Sequence, residues 1–310
     1  MRIRPLVGIL VPLAAGSILV ATPAGATFPG NDGRIVMSYE APVPGEHLTQ
    51  TDLYSMNPDG TGLQRLTDTP HQMEFMPSWN AAGTRITFSR TRAPFGPGSI
   101  WVMDADGANQ VRLTTDIDAR DPVWSPDGRR IAITRFTDRG PDIWTIRASD
   151  GGGGRRVTSW PSLEFQPAWS PDGQRIAFTR GFATGDMGDM WTIDLVSGKT
   201  THVTTGNAYD NHASWSPDGG LIVFQRLVSL YSKIAVVQPD GTGLHMLTSG
   251  HFDGGAVYSP SGTRIAFDSD RGSTFLPDLW IMRSDGTHLE RIRDLKWAST
   301  QPNWQALPIV

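Results

Sequence analysis

The chain has no cysteine. That excludes disulfides, thiolate nucleophiles and the cysteine to which a lipid anchor attaches, so any export must rest on a leader alone. The missing thiols say nothing about whether the compartment is oxidising. A basic excess is missing too: 27 Lys and Arg against 31 Asp and Glu give a formal charge of −4, which argues against a nucleic-acid footprint. No Gly-x-Ser-x-Gly elbow occurs anywhere, so a serine enzyme built on that strand-to-helix turn is not expected. Long apolar runs are lacking outside the first residues.

That first run has the layout of a leader. Arg2 and Arg4 precede apolar residues from Leu6 to Val20, and Ala24-Gly25-Ala26 offers the small residues a signal peptidase reads. Residues 1–26 are expected to be a signal peptide, leaving a mature chain from Thr27 with no membrane span, exported to the periplasm or the extracellular space. A retained anchor is the alternative, disfavoured by Pro12, Gly16 and the shortness of the run.

What the chain has in plenty is repetition. Trp-Ser-Pro-Asp-Gly begins at Trp124, Trp169 and Trp215, and degenerate copies at Trp79, Tyr258 and Trp304 extend the series at spacings of 43 to 46 residues. A period in the forties, with each copy too small to bury its own apolar face, marks blades stacked around an axis. Gly 34 and Pro 23 suit many tight turns, while Trp 11 and Phe 12 supply wedges between blades.

Each period resolves into four strands. From Pro122, Val123-Trp124-Ser125 reads as strand a, Pro126-Asp127-Gly128 as a turn, residues 130–134 as strand b, 142–146 as strand c and 155–158 as strand d. The expected fold is all-β: a six-bladed propeller of four-stranded antiparallel blades, a single domain over residues 27–310. The chain begins on strand b of its first blade and ends on Gln301-Pro302-Asn303-Trp304, so the tail is expected to supply the first blade's strand a and remove an exposed edge. Phe28 competes for that slot.

Repeated Trp-Ser-Pro-Asp-Gly-x-x-Ile-Ala-Phe followed by Ile-Trp-x-Met-Asp-x-Asp-Gly resembles the six-bladed propeller of the TolB family, over nearly the whole of residues 27–310. The resemblance implies a periplasmic protein that binds partners through one face and its central channel. No α/β domain of the TolB kind is expected ahead of the blades, so the resemblance is to the propeller part of that family alone. Related propellers precede serine peptidase domains, and no such domain is expected after Trp304.

The a-to-b and c-to-d turns are short and uniform. The b-to-c loops at the opposite end vary, running long at Glu40–Thr51 (with Pro42, Pro44 and His47), at Thr91–Ser99 (with Phe95), at Gly181–Gly188 and at Asp270–Pro277 (with Phe275). Variable loops on a rigid scaffold usually carry binding. On the same face, Glu74, Glu164, Asp210 and Asp253 stand five residues before their strand-a aromatic, and Asp118 and Asp121 flank Ala119 at that place. One reading is a carboxylate ring at the channel mouth, able to hold calcium or a basic partner segment, with His71, His212 and His251 nearby.

The other reading is structural: Arg90, Arg180 and Arg226, eleven residues after their aromatics, should face Glu74, Glu164 and Asp210 across the hairpin. Asp253, opposite Ser269, then remains the acid most free for other work and the metal candidate. Arg85, Arg130, Arg175 and Arg264 are expected to stack on the aromatic of their own hairpin. Asp52, Asp142, Asp189 and Asp278, opening strand c, are expected to bond nearby backbone or a neighbouring Arg. No nucleophile and base constellation is visible. The expected function is therefore a non-catalytic, monomeric scaffold for a protein or peptide. The alternative is a carbohydrate-binding, lyase or hydrolase propeller with a channel cation.

Overall fold

The computed structural model describes residues 27–309, except 43–48, 93–95, 182–187, 229–230, 273–275, 293–294 and 296–297. The expected leader, and Pro44, His47, Phe95 and Phe275 of the long loops, lie outside the described residues. Among the described residues no helix is long and apolar enough to cross a membrane.

Among the described residues, twenty-four strands form six four-stranded antiparallel sheets. The inner strands are β4 (Met73–Trp79), β8 (Asp118–Trp124), β12 (Leu163–Trp169), β16 (Tyr209–Trp215), β20 (Asp253–Tyr258) and β24 (Ser299–Leu307). Each touches the next around the ring, and β20 touches β24, which touches β4. The circle is closed. Strand β24 pairs with β1 (Asn31–Pro42), Trp304 facing Ile35, so the tail fills the first blade. Asp32 fastens the seam by accepting from Arg264 Nη2 at 2.8 Å and Ser261 N at 2.9 Å.

Phe28 takes no part in a sheet. It is 1% exposed and packs in a core cluster with Trp124 and Ala306, while Thr27 Oγ1 meets Ser214 Oγ on the far blade at 3.0 Å. The N-terminal stub thus bridges opposite sides of the ring.

The tight turns explain the motif. In Ser125-Pro126-Asp127-Gly128, Ser125 Oγ donates to Asp127 Oδ1 at 2.6 Å, and that carboxylate and Ser125 Oγ accept from Arg129 N and Arg130 N. Gly128 adopts φ 68°, where a side chain would be strained. The same network recurs at Ser170 and Ser216. Facing aromatic and aliphatic side chains such as Trp79, Ile86 and Phe88 are fully buried between blades.

The inner strands depart from expectation. They start about five residues earlier than the aromatic alone suggests, so Glu74, Glu164, Asp210 and Asp253 lie within strands rather than in connections. Each strand is broken by a bulge, as between Phe75 and Ser78 or Phe165 and Ala168. The bulged residues Met76, Asp121, Gln166, His212, Gly255 and Gln301 all have φ of 54° to 57°. The extra residue shifts the register beyond it by one. Trp79 therefore faces Ile86, and Trp169 faces Ile176, not the arginines expected there. Arg175 and Arg264 instead stack on the next blade's aromatic, Trp215 at 4.8 Å and Trp304 at 5.0 Å, while Arg130 donates to Thr145.

Candidate functional site: the central channel

Before the bulge the expected register holds, and it decides the fate of the acids. Glu74 pairs with Arg90, Glu164 with Arg180, and Asp210 with Arg226. Arg90 Nε donates to Glu74 Oε1 at 2.7 Å, Arg226 Nη1 lies 3.4 Å from Asp210 Oδ2, and Arg180 Nε lies 3.9 Å from Glu164 Oε1, with Ser162 Oγ between them. All three carboxylates have 0% exposure. Burial, the largest influence, pushes Glu74 and Glu164 above their usual range and Asp210 up to about 6, against the pull of hydroxyl donors and the arginines. They are sealed between blades, not arrayed at a channel mouth.

Asp253 is not free either. Its counterpart across the hairpin is Ser269, but Arg271, two residues on, reaches back and donates from Nη2 to Asp253 Oδ2 at 2.6 Å. Arg271 lies in the turn just past the strand that ends at Ser269, so it reaches Asp253 from outside the ladder. Asp118 accepts from Gly98 N at 2.7 Å. His251 sits half exposed, 3.4 Å from Asp270. No group of three or more His, Asp or Glu is placed to hold a metal among the described residues. Three strand-c aspartates pair with a strand-d arginine as expected, Asp52 with Arg65, Asp142 with Arg156 and Asp278 with Arg291, while Asp189 meets His202 Nε2 at 2.8 Å.

Of the expected site residues, Asp121 and His212 alone line the central channel. It encloses about 670 Å³ open to solvent, walled by three successive residues of each inner strand beginning at the bulge. The left-handed bulge is what turns Met76, Asp121, Gln166, His212 and Gln301 inward. Gly255 completes the ring, with the Asp268 carboxylate against it. Polar strand-b side chains catch the bulged backbone of the following blade: Asp121 N donates to Ser89 Oγ at 3.1 Å, Gln166 N to Thr134 Oγ1 at 3.0 Å, and Gln301 N to Asp268 Oδ1 at 3.3 Å. Gln301 Oε1 closes the belt by accepting from Met76 N at 2.9 Å.

Among the described residues no Lys or Arg lines the channel, whose ionisable wall residues are Asp121 and His212. Burial raises Asp121, opposed by the Thr134 hydroxyl, and lifts Asp268 to about 6. Burial also drives His212 down to about 4. A neutral ring protonated on Nδ1 satisfies both its neighbours, donating to Asn211 Oδ1 and accepting from Gln166 Nε2, each at 3.1 Å. Gln166, Gln301 and Asp268 were not singled out from the sequence. A proline directly follows the bulge at Pro77, Pro122, Pro167 and Pro302; since proline cannot donate to a ladder, its place inside a strand was the available sign.

The TolB beta propeller domain family matches residues 117–308. The Tol-Pal system protein TolB 1 of Novosphingobium aromaticivorans is 39% identical over 71 residues, 23% of this chain and 15% of that protein. TolB of Anaeromyxobacter dehalogenans is 32% identical over 113 residues, 36% of this chain and 25% of its own. This chain therefore spans a quarter or less of either relative's length. The crystal structure of TolB from Acinetobacter baumannii superposes with a TM-score of 0.73 at 20% identity, over 88% of this chain and 67% of that one; at that identity the likeness is one of fold.

Proposed function

Since the chain belongs to the TolB beta propeller domain family, we propose that it is an exported, non-catalytic scaffold that binds a protein or peptide through the loop-bearing face and the channel mouth. The observation that supports this most is the ring of six bulges around a channel with one carboxylate on its wall, another behind Gly255 and no Lys or Arg among the described lining residues. A rigid wall with polar side chains turned to the axis offers a fixed set of donors and acceptors, the arrangement in which binding needs little reordering. A carboxylate on the wall favours a cationic or donor-rich segment. Matches to Tol-Pal system proteins favour a protein partner and a periplasmic location over a small substrate.

The test is site-specific photocrosslinking in the exported protein. A crosslinker at Gln166, in the channel, and one at Phe75, at the loop end of an inner strand, should give the same protein adduct. One at Arg129, in a turn of the other face, should give none. Adducts of equal yield from Arg129 would reverse the assignment of the working face.

A further inference from the structure

Four of the six blade junctions hold a buried carboxylate in the same place, and in each it meets an arginine: Glu74 with Arg90, Glu164 with Arg180, Asp210 with Arg226, Asp253 with Arg271. The junction between the second and third blades keeps the arginine and has lost the acid. Ala119 stands in the carboxylate position, directly opposite Arg135. Among the described residues Arg135 makes no hydrogen bond or ion pair; its guanidinium lies 4.5 Å over the Trp144 ring. Asp142, its other cross-strand neighbour, is held by Arg156 at 2.9 and 2.7 Å.

The rest of the junction shows the same vacancy. In the first junction Thr67 Oγ1 donates to Glu74 Oε2 at 3.2 Å while accepting from Leu53 N. Thr114 is its equivalent: it accepts from Ile100 N at 2.9 Å, but its hydroxyl proton finds no acceptor among the described residues. The strand-c aspartate of four other blades, as at Asp52, is here Ser99, and Arg112, the counterpart of Arg65, reaches only the carbonyl of Thr114 among the described residues, at 2.7 Å. Two acids are absent and both arginines remain. A cavity of about 730 Å³, open to solvent, lies beside Arg135, lined by Thr114, Thr115, Arg135, Trp144 and Gly152, with Asp150 on its wall committed to Arg147. The Trp144 Nε1 donor is buried without a partner.

We infer that this junction is a binding site for a small organic carboxylate, which takes the place of the missing side chain between Arg135 and Thr114. The four occupied junctions are the template: a carboxylate fits there because a carboxylate already does so elsewhere in the ring. Charge-assisted bonds to a guanidinium are the strong kind, and a planar anion beside a stacked arginine and an indole N–H has donors on two sides.

The experiment titrates the full exported protein with acetate, succinate and inorganic phosphate, at constant ionic strength set by chloride, following Trp fluorescence and melting temperature. Acetate or succinate should change the Trp signal and raise the melting temperature. Arg135→Gln should weaken that response by about ten- to a hundredfold, as expected for losing one charge-assisted contact. Ala119→Glu, which restores the built-in carboxylate, should melt higher than the parent without ligand and no longer respond. Should Ala119→Glu fail to fold, Arg135→Gln alone decides. A parent that ignores both carboxylates, responds to phosphate alone, or binds them as well after Arg135→Gln overturns the inference.

Discussion

The carboxylate of Asp268 occupies the space that a side chain at Gly255 would fill. Five bulges present their own side chain to the channel, and the sixth is bare, with the Asp268 carboxylate packed behind it.

Gly255→Ala should therefore do more than strain a residue at φ 57°. The new Cβ collides with Asp268, which must leave Gln301 N. A loss of about 1–3 kcal/mol is expected, checked by chemical denaturation. Asp268→Ala added to Gly255→Ala should recover part of it, since the clash goes with the carboxylate.

Titration of the channel has a worked-out sign. His212, held down to about 4, is protonated more readily in the unfolded chain, so its contribution is complete above the ordinary imidazole range and is lost as pH falls towards 4. Asp268, raised to about 6, holds a proton longer in the fold, so its contribution is complete at low pH and is lost as pH rises through 6. The slopes oppose each other between about 4 and 6. Relative to the parent, His212→Gln should gain stability as pH is lowered across that window and Asp268→Asn as it is raised. Melting curves at several pH values check both, and equal slopes in all three proteins would contradict the assignment.

Removing the arginine from a sealed pair should be costly. Arg90→Ala strands Glu74, and Arg271→Ala strands Asp253, both carboxylates having 0% exposure. Each should destabilise by about 3–5 kcal/mol. Glu74→Gln with Arg90→Met should be far milder, a contrast denaturant midpoints will show.

Phe28→Ala removes a ring that is 1% exposed and joins the stub to the blades. The expected cost is about 3–5 kcal/mol, with faster proteolysis ahead of Asn31 as a second readout. A midpoint unchanged from the parent would mean that the stub adds nothing to the ring.

The blade count, the turns and the closing strand were legible because they rest on repeated local chemistry: Ser-Pro-Asp-Gly fixes a hairpin wherever it stands, and Trp304 sits where each repeat has its aromatic. The Glu74–Arg90 register was legible for the same reason, being counted outward from a symmetrical turn. The bulge showed only in the proline that follows it at four positions, because Met76, Asp121, Gln166, His212, Gly255 and Gln301 share a backbone conformation and no side-chain chemistry. Missing it put Arg175 on the wrong ring and hid the channel belt. Asp253 was misread because its partner, Arg271, lies off the repeat by two residues. Pairing across the blades is a matter of reach, and reach is not written in a period.

The seam between β1 and β24 makes the circle depend on residues about 270 positions apart. Contacts that distant form late, after every intervening loop has been ordered. Until then five finished sheets would stand as an arc with a bare strand at either end, the state most prone to pairing with another copy. An arc held open until β24 arrives stays exposed to that pairing for as long as the strand is withheld, so the seam acts as a latch on the whole circle.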